Sequence, residues 1–201
     1  MATNRNLSVA DAFDSDWESW TDDQAEALLF TAGKQKAEIL RGKLVLMSPT
    51  GGDPGYAGDV IFVRLFSYVE KLGVGRAVCD NKAFLIRSPN RRSLSPDAAY
   101  FVGPPPGMRF YRGAPQFAVE VRSEGDYGPA AEREMAEKRA DYFAAGTQVV
   151  WDVDLLSDDV VRVYRADQPA QPKIYRRGEM AEAEPAVPGW TFLVDDLFAK
   201  D

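Results

Sequence analysis

Histidine is absent from this 201-residue chain, and cysteine occurs once, at Cys79. Without histidine there is no Ser-His-Asp or Cys-His catalysis and no histidine-ligated zinc. One cysteine cannot close an intrachain disulfide or build a thiolate metal cluster, so Cys79 reads as a small core residue on a strand. No apolar run approaches the roughly 18 residues of a membrane span. The opening Met-Ala-Thr-Asn-Arg-Asn-Leu-Ser carries no hydrophobic signal region. The expectation is a soluble cytoplasmic protein, with an N-terminal arm over 1–20 and one domain over 21–201.

Acids outnumber bases by 31 to 24, a formal charge of −7 that argues at first against a polyanionic partner. The distribution is uneven. From Asp11 to Glu26 there are seven acids and no base. From Asn81 to Val119 there are six bases (Lys82, Arg87, Arg91, Arg92, Arg109, Arg112) and one acid, Asp97, so this segment is locally +5. A basic stripe around an acidic metal site suits a phosphate-cleaving enzyme. A set of solvated hairpin arginines explains the same count equally well.

Periodicity and turn residues set out the elements. Thr21 with Gln24 three residues on is a capping-box signature for a helix over 21–30. Strands at 36–40 and 43–47 turn at Arg41-Gly42. A Pro/Gly loop over 48–55 leads to a long amphipathic helix over 56–72, ended by Gly73. Strands follow at 75–79, 82–87, 94–102 and 116–122, with a proline- and glycine-rich loop over 103–113 of a length that suits function. A second long helix over 129–145 stops at Gly146. Strands at 147–153, 160–165, 173–176 and 189–194 and a short end at 196–198 complete the chain, with no internal repeat or dividing linker.

Three residues break this pattern. Asp97 in Ser-Pro-Asp-Ala-Ala-Tyr-Phe and Glu120 in Phe-Ala-Val-Glu-Val-Arg interrupt stretches that otherwise read as buried strands. Acids are rarely buried unless paired or metal-bound. Alternation puts Phe117, Val119 and Val121 on one face, and Ala118, Glu120 and Arg122 on the other. In the second long helix Ala131, Met135, Lys138, Tyr142 and Ala145 are spaced four, three, four and three. Lys138 therefore sits in the apolar stripe, with Glu134, Glu137 and Asp141 on a wetter face. Two acids on core strands and a lysine are the minimal kit for magnesium-dependent phosphodiester cleavage. Mg²⁺ takes carboxylate, water and phosphate oxygens, polarises the phosphate and helps form the attacking hydroxide. A nearby ammonium orients that water or stabilises developing charge. Plainer explanations exist for each residue. Lys138 can pair with Glu134 and lay its stem over the core. Glu120 can be neutralised by Arg122 or Arg139, and Asp97 can be a turn or cap residue after Pro96.

The ordered set of segments resembles a known family. Glu38 in Ala-Glu-Ile-Leu-Arg-Gly-Lys-Leu-Val-Leu-Met-Ser-Pro looks like its opening hairpin, and Ser-Pro-Asp97 like its aspartate motif. Ala-Pro-Gln-Phe-Ala-Val-Glu120-Val-Arg-Ser looks like its glutamate strand. Glu-Lys138-Arg-Ala-Asp-Tyr-Phe-Ala-Ala-Gly and then Val-Val-Trp151-Asp-Val-Asp look like its lysine helix and the strand that follows. The family is the Uma-two type of restriction-endonuclease-like proteins, within the PD-(D/E)XK nuclease superfamily, and the likeness runs from about Glu38 to Phe198. It implies an α/β, restriction-endonuclease-like fold: a mixed central sheet flanked by helices, with extra β-hairpins. It implies Asp97 and Glu120 as metal ligands with the Val121 carbonyl as a third, Glu38 as an outer acid, and Lys138 as the catalytic ammonium. The superfamily lysine usually lies two residues after the glutamate, where this chain has Arg122; Lys138 fits the variant in which it has migrated to the helix. Arg122 cannot deprotonate, so it stabilises a phosphate without acting as a base. A histidine common near the start of the first long helix is replaced by Asp53-Pro-Gly-Tyr56, and the segment from Ser123 to Met135 is longer than usual.

The resulting expectation is an endonuclease that cleaves DNA with Mg²⁺ or Mn²⁺ and has no membrane partner. Lys82, Arg87, Arg91 and Arg122 are expected phosphate contacts, and the loop over 103–113 is expected to close over substrate. Trp17 and Trp20 in the arm serve either a homodimer interface or docking on their own domain. The alternative is a catalytically silent nucleic-acid- or protein-binding module on the same scaffold, favoured by the acidity and the missing histidine. RNA is a weaker choice of substrate, since nothing in the sequence reads the 2′-hydroxyl.

Overall fold

A computed structural model describes residues 16–199; most of the expected arm, residues 1–15, lies outside them. The capping box forms as expected. Thr21 accepts the Gln24 backbone N–H, and the Gln24 side chain accepts the Thr21 backbone N–H at 2.8 Å, opening α1 (Asp22–Phe30). β1 (Ala37–Leu40) and β2 (Lys43–Leu46) pair antiparallel around Arg41 and Gly42, which take φ of 48° and 74°. α2 (Gly52–Leu72) starts earlier than the expected residue 56. Pro54 does not prevent this, because first-turn N–H groups have no partner inside the helix. The helix ends at Gly73, which takes a left-handed φ of 70° and donates its N–H to the Val69 carbonyl at 3.0 Å.

The later elements are β3 (Arg76–Cys79), β4 (Phe84–Leu85), β5 (Ser93–Leu94), β6 (Ala98–Phe101), β7 (Tyr111–Arg112), β8 (Phe117–Val121), α3 (Pro129–Ala144), β9 (Val149–Val153), β10 (Val161–Arg165), β11 (Gln168–Tyr175), β12 (Met180–Glu182) and β13 (Thr191–Leu193). Six of the strands form a central sheet in the order β11-β10-β9-β8-β6-β3. Neighbours are antiparallel except β8 and β9, which run parallel. A parallel pair needs a crossover connection, and α3 supplies it.

The expected alternation of β8 holds. Phe117, Val119 and Val121 join Val149, Trp151 and Val153 of β9 on the face covered by α2 and by Trp190 and Phe192. Trp151 stacks on Trp190 with ring centroids 5.3 Å apart. Ala118 and Val150 point to the opposite face, where Tyr142 of α3 packs with Phe84 and Phe101. Glu120 therefore belongs to the α3 side. Trp20 packs with α1, Ile39 and Leu85 in a third cluster, and Trp17 lies against it, so both tryptophans dock on their own chain.

Several strands differ from expectation. The stretch over 94–102 is two strands, broken at Ser95-Pro96-Asp97: β5 pairs with β4 in a small sheet of order β5-β4-β7, and β6 belongs to the central sheet. Pro96 has no N–H to offer a ladder, so Asp97 lies at the break. The pairing over 82–87 shrinks to Phe84–Leu85. The edge strand β11 is longer than 173–176, and β12 pairs with β13 where no partner was expected. Among the described residues no helix is long and apolar enough to cross a membrane.

The loop over 103–113 is tied down on its own chain. It contains β7, which pairs parallel with β4. Glu26 of α1 is fully buried and accepts the Phe110 N–H at 3.2 Å, with Arg109 and Arg112 at 2.6 and 3.2 Å. Asp23 takes Arg112 at 2.6 Å. Two arginines of the basic segment are thus spent on the acids of α1. Glu26→Ala removes the acceptor for all three donors and is expected to cost about 1–3 kcal/mol, read as a lower urea midpoint with an unchanged slope.

Candidate active site

A cleft of about 430 Å³ lies between the β1–β2 hairpin with residues 48–50 and the 123–126 turn with the first turns of α3. Lys36, immediately before β1, and Glu38 and Leu40 within it fall at every second residue, and all three line it. Asp97, Glu120 and Val121 line it from the central sheet, and Ala131, Met135, Lys138 and Tyr142 from α3. The helical stripe read from the sequence is thus the face that meets the cleft.

Each carboxylate has definite partners. Asp97 Oδ2 accepts the Val121 N–H at 2.8 Å, linking the chain break before β6 to the end of β8. Asp97 Oδ1 accepts Lys36 Nζ at 2.7 Å, and the same ammonium reaches Asp80 at 2.6 Å. Glu120 Oε2 accepts Lys138 Nζ at 2.8 Å, and its Oε1 accepts the Tyr142 hydroxyl at 2.5 Å. Glu38 is 1% exposed. It accepts the Ser95 N–H and Arg91, both at 2.8 Å, and lies 3.0 Å from Lys138 Nζ.

Burial and neighbouring charge divide the protonation states. Burial pushes the Glu120 carboxyl up, Asp97 and Glu38 push it further, and Lys138 only partly offsets them. Burial would also raise Glu38, but Lys138 and Arg91 outweigh it and hold that carboxyl below the usual range. Burial disfavours the Lys138 ammonium, yet Glu120 and Glu38 keep its pKa above the ordinary lysine value. Lys138 is therefore a fixed positive charge at neutral pH, not a base. The Tyr142 phenol is raised by burial and by Glu120, and stays a donor.

The pairing of Glu120 with Arg122 or Arg139 does not occur. The parallel register of β8 and β9 sets Glu120 opposite Asp152, and Asp152 takes both arginines. Arg122 grips it through two hydrogen bonds of 2.8 and 2.9 Å and also pairs with Glu132. Arg139 lies 3.3 Å from Asp152 and covers the Tyr164 ring at 4.1 Å.

The expected phosphate contacts fall in two groups. Arg91 and Arg122 are only 3% and 5% exposed and are bound to carboxylates, so they are structural cations here. Lys82 donates to the Asp80 carbonyl at 3.2 Å, and Arg87 is exposed 3.7 Å from Asp22; neither lines the cleft. No residue of the 103–113 loop lines it either, against the expectation that this loop closes over substrate. Asp141, read as part of the wetter helix face, is buried and lies 3.3 Å from Arg91.

Two side chains of the site, Lys36 and Tyr142, had no role in the sequence reading. Lys36 stands two residues before Glu38, immediately before β1. Tyr142 follows Lys138 by one helical turn. Asp97 and Glu120 are the side chains suited to hold a metal, with hard oxygens in one cleft. Among the described residues no three acids or cysteines are arranged as a closed metal cage. The donor set matches an open site for an ion that takes one or two carboxylates and completes its shell with water and phosphate.

Glu120 gives a pH signature. Its folded pKa is raised, so the native state favours the protonated acid; that stability is present below the unfolded value and is lost as pH rises through the folded one. Glu120→Gln carries no charge. It is expected to melt above the parent at about pH 8 and with it near pH 4, in paired thermal melts.

A search of curated proteins finds no match. Among solved structures the chain is similar to one titled "Crystal structure of a putative nuclease belonging to DUF820", from Anabaena variabilis ATCC 29413. The TM-score is 0.63 at 18% identity, over 81% of this chain and 89% of that one. At that identity the likeness speaks for the fold, which is restriction-endonuclease-like. The family model Uma2, described as "Putative restriction endonuclease", matches residues 22–195, and the chain belongs to that family.

Proposed function

We propose that this protein is an endonuclease that hydrolyses phosphodiester bonds in DNA with Mg²⁺ or Mn²⁺. The observation that carries the reading is the meeting, in one cleft, of Asp97 and Glu120 with Lys138 bonded to Glu120 at 2.8 Å. Asp97 and Glu120 would hold the ion, with the Val121 carbonyl as a third oxygen. Bound there, it supplies polarisation of the phosphate and a water of lowered pKa.

The remaining roles belong to the chain itself. The Val121 N–H holds the Asp97 carboxylate in place through Oδ2. Tyr142 and Lys138 fix the rotamer of Glu120 from one helix. Lys138 keeps its proton and stabilises negative charge as it develops on the phosphate. Glu38, locked by the Ser95 N–H and Arg91, holds Lys138 over the cleft. A homodimer would bring two such sites to the two strands of a duplex, and a cytoplasmic location belongs to the same reading.

One observation favours the second reading, a catalytically silent binding module. Arg87, Arg92, Arg109 and Arg112 of the basic segment lie against Asp22, Asp23 and Glu26, so little of that charge is left to track a DNA backbone. Plasmid and single-stranded DNA incubated with Mg²⁺, Mn²⁺ or EDTA separate the two. Metal-dependent cutting is expected, and Glu120→Ala and Lys138→Ala should each lower its rate by about 10²-fold or more while circular dichroism stays unchanged. Undiminished cutting by Glu120→Ala would reject the site. An uncut substrate with no heat of metal binding would leave the silent module.

A further inference from the structure

We propose that Lys36 is a built-in counter-cation on Asp97, and that it must withdraw onto Asp80 before Asp97 can ligate a divalent metal. The inference rests on the metal-site reading above. It begins with Asp97, whose Oδ2 is committed to the Val121 N–H at 2.8 Å. The other oxygen, Oδ1, is the one a metal would use, and Lys36 Nζ sits on it at 2.7 Å. An ammonium and a divalent ion sharing one carboxylate oxygen repel strongly, so the two compete for the same place.

Charge balance points the same way. Glu38, Asp97 and Glu120 are matched in the cleft by Lys36, Lys138 and Arg91. A divalent ion held by Asp97 and Glu120 would add two positive charges beside these cations, and the departure of one of them relieves that crowding. Lys138 cannot move without leaving both Glu38 and Glu120, and Arg91 is buried between Glu38 and Asp141. Lys36 already holds a solvent-facing acid outside the cleft, Asp80 at 2.6 Å with a side chain 40% exposed, whereas the outside partner of Arg91, Asp141, is itself buried. The Asp80 carboxylate is itself oriented by the Asn81 N–H at 2.6 Å. Withdrawal breaks one contact and keeps the other, and the four-carbon lysine stem permits it.

Calorimetric titration of the full chain with Mn²⁺, without DNA, tests this. Lys36→Met is expected to bind at least tenfold tighter than the parent. Asp80→Asn should bind at least threefold weaker, because Lys36 then has only Asp97 to rest on. In the Lys36→Met background Asp80→Asn should change affinity less than twofold. Equal or weaker binding by Lys36→Met overturns the proposal. So does an Asp80→Asn effect that persists undiminished in that background, since Asp80 would then act only through its own charge. If circular dichroism shows Lys36→Met unfolded, Asp80→Asn decides, and unchanged or tighter binding refutes the idea. Mn²⁺ binding to the parent with no gain in Lys36→Met rejects this inference alone. No binding to parent or variants rejects the metal site along with it.

Discussion

The bond between Lys138 and Glu120 is the constraint around which this molecule is arranged. Isolated carboxylates are too costly to bury, and the cleft gathers several. Lys138 answers two of them, Glu120 and Glu38, from a single helix position. Because Glu38 is also fixed by the Ser95 N–H and Arg91, that one ammonium joins the opening hairpin, the chain break before β6 and the end of β8. Removing that cation would leave two buried carboxylates without their shared partner. Three distant stretches of chain thus meet at one cation.

The same matching of charge governs the contact between α1 and the basic segment. The acidic run near the N-terminus and the basic run from Asn81 look like separate surface features along the chain. In space they are partners: α1 lies against the arginines, and Glu26 is buried between them. A local excess of positive charge in sequence therefore says little about the field at the surface once long-range pairing has used it.

Much of the site was legible. The two-residue period of Phe117–Val121 and the helical stripe through Lys138 are local patterns, and both survive folding because each depends only on backbone geometry. Helix ends at Thr21 and Gly73 were legible for the same reason. What could not be read were pairings between segments far apart in sequence. Nothing near Arg122 indicates that Asp152 will claim it, since that follows from the register of two parallel strands. Nothing near Asp141 indicates Arg91. The break at Pro96 was signalled by its missing N–H, yet the apolar run around it masked the signal. Lys36 was hidden differently: its position two residues before Glu38 was visible, but its role depends on Asp80 just after β3 and Asp97 just before β6.

Arg122, two residues after Glu120, is an internal fastener for Asp152. The ammonium bonded to Glu120 therefore comes from α3 and not from the strand that carries Glu120. Lys138 and Tyr142 lie one turn apart on that helix, and both bond the same carboxylate. A rigid shift of α3 along or away from the sheet would move both donors together and leave the strand-borne acids where they are. The helix is in effect a lever, and its docking sets the electronic state of the cleft with no rearrangement of the sheet beneath it.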